Sequence, residues 1–322
     1  MKRSRLFLLP LCLALLLAGC AAPAGDSQSR QYRVAMVAKS TETEFWRSAI
    51  AGANVAKAEY NIDLTVLGPE TEEDYEAQNQ YIARSVAGGA DAIVFSAISY
   101  EENAAAIDAA ADAGVKIVVI DSDVDSRKVH VRIGTDNVQA GRMTGAAVLD
   151  TDAPELHVGI VNFDLGSRNG QEREQGLRES LAEDGRVRGA YTVNVSATSV
   201  AARTGVEILL AEHPEINVLV GLNEPLAVGT AVAVRELGLA GRVRMVGFDS
   251  NVQCIDLMRD GAVSALIVQN PYAMGYLGVE CAWKLLNGET YDAESWLDTA
   301  TTIVTKENMF SPESQRALFS FG

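Results

Sequence analysis

One strand-and-helix alternation runs through this chain twice, and it dictates the fold class. From Tyr32, short apolar runs rich in β-branched residues recur: "YRVAMVA" (32–38), "DLTVLG" (63–68), "DAIVFS" (91–96), "KIVVID" (116–121) and "VRIGT" (131–135). Between them lie longer helical patterns, "FWRSAIAGANVAKAEY" (45–60), "DYEAQNQYIARSVAGG" (74–89) and "ENAAAIDAAADAG" (102–114). Strands apolar on both faces belong to a parallel sheet, and each parallel connection needs a crossover such as a helix. The pattern restarts with "HVGIVNF" (157–163), "GAYTVNV" (189–195), "NVLVGLN" (217–223), "VRMVGFD" (243–249) and "AVSALIVQ" (262–269). A long helix, "YAMGYLGVECAWKLLNGE" (272–289), follows, and "DTATTIVTKEN" (298–308) reads as a last strand and turn. The expectation is an α/β protein of two similar doubly wound parallel-sheet lobes, with ligand at the carboxyl ends of the strands. About 300 residues also exceed one comfortable hydrophobic core.

The first residues read differently. Lys2, Arg3 and Arg5 precede an apolar run, Leu6 to Leu17, that is too short to span a membrane stably. The run ends in Leu17-Ala18-Gly19-Cys20, which resembles the lipobox of bacterial lipoproteins. That resemblance implies a signal peptide over 1–19, cleavage before Cys20 and a lipid on its sulfur. Residues 20–31 are rich in Ala, Gly, Ser and Gln, a flexible tether. The expected protein is exported and anchored, facing the periplasm or the cell exterior, with the membrane met through the lipid alone.

Charge and cysteine usage narrow the partners. The formal net charge is −16, and loss of Lys2, Arg3 and Arg5 makes the mature chain more acidic still. Such a surface argues against nucleic acid and against charge-driven binding of anionic lipid. Cys12 leaves with the signal, so only Cys254 and Cys281 remain in the folded body. His130, His157 and His213 are scattered and no C-x-x-C is present, so no zinc-type metal site is expected.

Catalytic templates do not fit. No G-x-x-x-x-G-K-[ST], G-x-G-x-x-G or G-x-S-x-G motif occurs, and "DSDVDS" (121–126) lacks the glycine and final glutamate of a calcium loop. What remains sits at strand ends. "STETEFW" (40–46) delivers Phe45 and Trp46 at a helix start. They fit a hydrophobic staple and also an aromatic platform for the C–H face of a sugar ring. Asp121, Asn223, Phe248-Asp249 and Gln269 close four other strands. Singly each suits a cap or turn; together they place carboxylates and amides where a neutral polyol would be held.

The segments "FWRSAIAGA", "RIGTDNVQAGRMTG", "GSRNGQEREQG", "LLAEHPEINVLVGLNEPLAVGTA", "MVGFDS" and "LIVQNPYAMG" resemble the ribose/galactose-type periplasmic sugar-binding family of ABC importers, over about residues 32 to 308. The resemblance implies two lobes joined by three crossings, near Thr135-Asp136, Gln269-Asn270 and Thr301. Residues 32–135 with 270–301 would form the N-terminal lobe, and 136–269 with 302–322 the C-terminal lobe. It further implies ligand contacts from Phe45, Trp46, Asp121, Arg173, Asn223, Phe248, Asp249 and Gln269. Departures from the family's pattern fall at Thr43 and Ser96, where ribose binders have asparagines, at Ser122, where an arginine would stand, and at Ala197, which replaces an aromatic. These shorter side chains open the pocket and favour a hexose, a larger saccharide or a substituted polyol over ribose.

The function expected is a solute-binding lipoprotein, without cofactor and monomeric, that captures a sugar or polyol and delivers it to an ABC permease. A ligand sensor for a chemoreceptor or histidine kinase, or a binder of another small molecule such as a nucleoside, is the alternative. A glycoside-processing enzyme using Glu42, Asp121 and Asp249 is a third reading, which a turnover assay on saccharides distinguishes.

Overall fold

The structure is a computed structural model, and it describes residues 31–292 and 295–319. Cys20 and its tether, and the last residues of the chain, lie outside the described residues. The first sheet is built from β1 (Arg33–Val37), β2 (Asp63–Leu67), β3 (Ala92–Phe95), β4 (Lys116–Ile120) and β5 (Val131–Gly134). Its crossovers include α1 (Glu44–Glu59), α2 (Tyr75–Ala87) and α3 (Ala104–Asp112). After α4 (Asn137–Leu149) a second sheet follows: β6 (Leu156–Asn162), β7 (Val187–Asn194), β8 (Val218–Gly221), β9 (Arg244–Phe248) and β10 (Ala265–Val268). Its helices are α5 (Arg168–Ala182), α6 (Ser199–Glu212), α7 (Glu224–Glu236) and α8 (Val252–Arg259). The chain then returns through α9 (Pro271–Leu286) and β11 (Trp296–Asp298) to the first sheet. It ends with β12 (Thr302–Thr305) and α10 (Pro312–Leu318) in the second.

The two sheets share one topology, as the repeated sequence pattern requires. The first runs β11-β5-β4-β3-β1-β2 and the second β12-β10-β9-β8-β6-β7. Every pairing is parallel except β10 with β12. These are two doubly wound lobes, as expected. The chain passes between the two sheets after β5, after β10 and between β11 and β12.

Alternation along the strands explains the cores. In the first sheet Val34, Met36, Val94, Val118 and Ile120 face α1 and α9, with Ala49, Ala53 and Met274. Their neighbours Val37, Ile93, Phe95, Ile117 and Val119 face the other side, with Ile82 and Ile107. Side chains that alternate across a pleat need an apolar layer on each face, which accounts for the unbroken apolar runs.

Strand ends are where the sequence stops being apolar, and there the chain turns toward the other lobe. Gln78, fully buried on α2, locks the ends of β1 and β3 together. Its Nε2 donates to the carbonyls of Ala38 and Ser96, and its Oε1 accepts from the amide of Ile98. The outcome is a rigid rim at the point where strand order reverses, the place such sheets bind ligand.

Candidate functional site

Two aspartates at equivalent places in the two lobes anchor the site. Asp121 follows β4 with φ 59°, and Asp249 follows β9 with φ 71°. Each donates its amide to the adjoining strand, Asp121 to Ile133 at 3.0 Å and Asp249 to Ile267 at 2.8 Å. A left-handed conformation is unusual for a residue with a side chain, although aspartate tolerates it better than most. Here it swings each carboxylate out of the sheet and into the cleft between lobes.

A cavity of about 280 Å³ lies between them. Of the residues predicted from sequence, Thr43, Phe45, Trp46, Asp121, Arg173, Asn223, Asp249 and Gln269 line it. Thr43 and Asn223 do double duty. Thr43 Oγ1 caps α1 by accepting from the Trp46 amide, and Asn223 Oδ1 caps α7 by accepting from the Leu226 amide. The Asn223 amide nitrogen is buried with no partner in the protein, a donor available to a ligand. Phe45 and Trp46 meet edge to face, with ring centroids 5.1 Å apart. Trp46 is only 1% exposed and belongs to the core as well as to the cavity wall.

Arg173 ties the floor together. Its guanidinium donates to Asn137 Oδ1 (2.9 Å), to the Leu222 carbonyl (2.9 Å) and to Gln269 Oε1 (3.0 Å), and lies 3.9 Å from Asp121 Oδ1. Gln269 in turn donates to Asp249 Oδ1 at 2.6 Å. One cation therefore orders both carboxylates, one directly and one through an amide. Burial nevertheless dominates the protonation equilibria. It raises Asp249 to about 7 against the pull of Arg173 and Gln269. It raises Asp121 against Lys39 and Arg173, and it lowers Arg173 against the two aspartates.

Three predicted residues stand behind the wall rather than in it. Ser96 donates to Asp121 Oδ2 at 3.0 Å and so positions that carboxylate. Phe248 is fully buried beneath Arg173, its ring 4.1 Å from the guanidinium carbon, a cation–π support. The Ser122 hydroxyl is buried without a partner and does not line the cavity. Phe248 is the last residue of β9 and faces the core of its lobe, whereas Asp121 and Asp249 leave their strands with left-handed backbone, so their neighbours do not follow them into the cleft. Ala197 holds its place through its backbone, donating its amide to Glu73 Oε1.

The cavity also has residues that the sequence reading passed over: Glu72, Phe163, Asn169, Glu224 and Pro225. Glu72 accepts from Trp46 Nε1 at 2.7 Å and pairs with the buried Lys39 at 3.5 Å. Asn169 donates to Asp121 across the cleft, and Lys39 donates to Ser167 Oγ at 2.9 Å. Glu224, on the second lobe, accepts from the amides of Glu44 and Phe45 at the start of α1 on the first, at 3.1 and 2.8 Å. Asn169 and Glu224 lie inside motifs already quoted, "GSRNGQEREQG" and "GLNEP". The signal that marks them is their place in the first turn of a helix that follows a strand end.

Chemically the cleft offers an apolar aromatic wall on one side and a belt of carboxylates, amides and one guanidinium around it. Such a lining suits a small, donor-rich ring with apolar C–H faces. Among the described residues no cluster of histidine, cysteine or carboxylate groups is arranged to hold a metal ion.

The chain is similar to known proteins over most of its length. The family described as periplasmic binding protein domain matches residues 34–290. The D-ribose/D-allose-binding protein of Pseudomonas aeruginosa is 27% identical over 287 residues, covering 85% of this chain and 88% of that one. A carbohydrate transporter solute-binding protein from Agrobacterium radiobacter, solved in complex with D-arabinose, superimposes with a TM-score of 0.86 at 27% identity, covering 90% of this chain and all of that one. A sugar transporter from Clostridium phytofermentans does so with a TM-score of 0.77 at 33% identity, over 86% of this chain and all of that one.

Proposed function

The chain belongs to the periplasmic binding protein family, and from that premise we propose that it is the solute-binding component of an ABC sugar importer, capturing a sugar or polyol in the cleft between its lobes. The observation that carries this reading is the pair Asp121 and Asp249, presented by equivalent strand ends and bridged through Arg173 and Gln269 opposite Phe45 and Trp46. Carboxylates take paired hydroxyl donors, the free Asn223 amide takes a hydroxyl oxygen, and the aromatic edge takes the ring. The relatives named for D-ribose, D-allose and D-apiose, and the neighbours solved with D-arabinose and D-fucose, support the ligand class. We read the function as capture without chemical change, by a monomer that hands its ligand to a permease.

The test is a thermal-shift and calorimetric screen against these sugars, hexoses, polyols and nucleosides. Ligand at 100 times its dissociation constant stabilises the folded state by about 2.7 kcal/mol, a shift easily seen. A screen in which only nucleosides bind would overturn the ligand class. Anchoring belongs to the same reading: a lipid on Cys20 and a short tether raise the effective concentration of the binding protein at its permease. Cys20→Ala should move the protein from the membrane fraction to the soluble exported fraction; retention with membranes after a high-salt wash would count against the anchor.

A further inference from the structure

Phe45 and Asp249 face a second cavity on their other side. This chamber measures about 410 Å³, including its mouth. Phe45, Asp249 and Gln269 line both spaces, so these three side chains form the partition between them. The far wall comes from Ala317 and Leu318 of α10 and from Ser48 of α1. Nothing in the cleft described above uses this space, and it is larger than the cleft cavity itself.

The chamber's lining is amphipathic in the same manner as the cleft. Phe45 and Leu318 give it apolar surface. Ser48 Oγ is buried there with no partner in the protein, and Glu44, whose carboxylate accepts from the Val252 amide at 3.2 Å, adds an acceptor. An occupant that is only apolar would leave the Ser48 hydroxyl without a partner, a loss that buried polar groups seldom bear. An occupant that is only a monosaccharide in the cleft leaves the chamber unused. A ring carrying hydroxyls on an apolar frame answers both walls.

We propose that this chamber is a second subsite and that the protein's ligand is a glycoside, with one sugar ring between Asp121 and Asp249 and a second, glycosidically linked ring beside Ser48 and α10. This rests on the sugar-binding reading above. It goes beyond it in size and chemistry: the discriminating feature of the ligand is its glycosidic substituent, and Phe45 and Asp249 flank the linkage.

The test uses isothermal titration of the exported chain with D-glucose, D-galactose, D-xylose, D-ribose and D-allose, and with cellobiose, lactose, xylobiose and the methyl glycosides. At least one disaccharide should bind about 10-fold or more tightly than its parent sugar, a difference of about 1.4 kcal/mol. Ala317→Phe, which fills the chamber from α10, should abolish that advantage and leave the parent sugar's affinity within about 2-fold, a change of a few tenths of a kcal/mol. Ser48→Ala, which removes the hydroxyl and adds no bulk, should reduce the advantage in the same direction; it also serves where Ala317→Phe lowers the melting temperature too far. Parent sugars that bind while none of the glycosides binds more tightly would overturn the subsite and leave the sugar-binding reading intact. Variants that weaken both ligand sizes equally would likewise overturn the subsite. If no saccharide of either size binds, the subsite and the sugar-binding reading fall together.

Discussion

Burial holds the Asp249 carboxyl at about 7, well above the ordinary value of about 4. Between those values the folded protein keeps a proton that the unfolded chain has released. The stability this contributes is fully present below about pH 4 and is lost as pH rises through about 7. In ligand-free protein the melting temperature of wild type relative to Asp249→Asn should therefore fall steadily between pH 4.5 and 8; a difference that stays constant would refute the assignment. At pH 8, where the carboxyl is mostly ionised, the same variant should bind its sugar about 10- to 100-fold more weakly, because a charged acceptor is worth roughly 1.5–3 kcal/mol. Trp46→Phe keeps a ring in the wall and deletes the 2.7 Å bond to Glu72. It should weaken binding several-fold while preserving most of the stability that truncation to alanine, at about 3–5 kcal/mol, would remove. Equal affinity in Trp46→Phe and wild type would show that the ring alone matters. Asp121, Asp249 and Gln269 were legible in the sequence because each ends an apolar strand. Lys39 and Glu72 were not: a lysine closing a strand and a glutamate in an acidic loop read as solvated charges until the other lobe covers them.

At the scale of elements, each lobe closes one face with a pair of helices in backbone contact. A Cβ on Gly275 of α9 would lie 1.8 Å from the carbonyl oxygen of Ala49 on α1, and one on Gly176 of α5 would lie 1.9 Å from that of Val138 on α4. Only glycine permits such approach, so Gly275→Ala must push α1 and α9 apart. Overpacking of this kind costs about 1–3 kcal/mol or more, and thermal melting of the variant should show it as a clear drop. An unchanged melting temperature would mean that the two helices do not touch there. The ten strands named from apolar runs in the two repeats all form, and so does the final strand read in 298–308. What the pattern hid was β11, three residues long and half exposed, which exists only because the returning chain meets β5. The short α10 was hidden as well, although Ser311 and Pro312 supply an N-cap and a first-turn proline. Short elements carry too few residues for a period to show; long-range pairing decides them instead.

Taken whole, the molecule is a clamp whose halves already hold one another. Tyr100 donates its amide to the Gly166 carbonyl at 2.8 Å. Glu224 of the second lobe caps the start of α1, and Glu44 at that same start accepts from the first amide of α8. Cys254 and Cys281 are free, buried thiols on different lobes, so among the described residues no disulfide joins the lobes. Closure thus depends on many individually weak ties across the cleft, which lets a ligand's contribution tip the balance. Glu73 provides the cleanest probe, since it accepts from the Ala197 amide at 2.8 Å and does not line the cleft cavity. Glu73→Ala removes a tie that exists only when the lobes meet. Losing about 0.5–1.5 kcal/mol of closure lowers the fraction of binding-competent molecules, and apparent affinity falls by that fraction, about 2- to 10-fold. Each lobe keeps its own core, so the melting temperature of the ligand-free protein should hardly move. Small-angle scattering should show a larger radius of gyration without sugar and recovery of the wild-type radius at saturation. Wild-type affinity together with a wild-type radius would mean that closure is set within the cleft alone, by the ligand and its carboxylates.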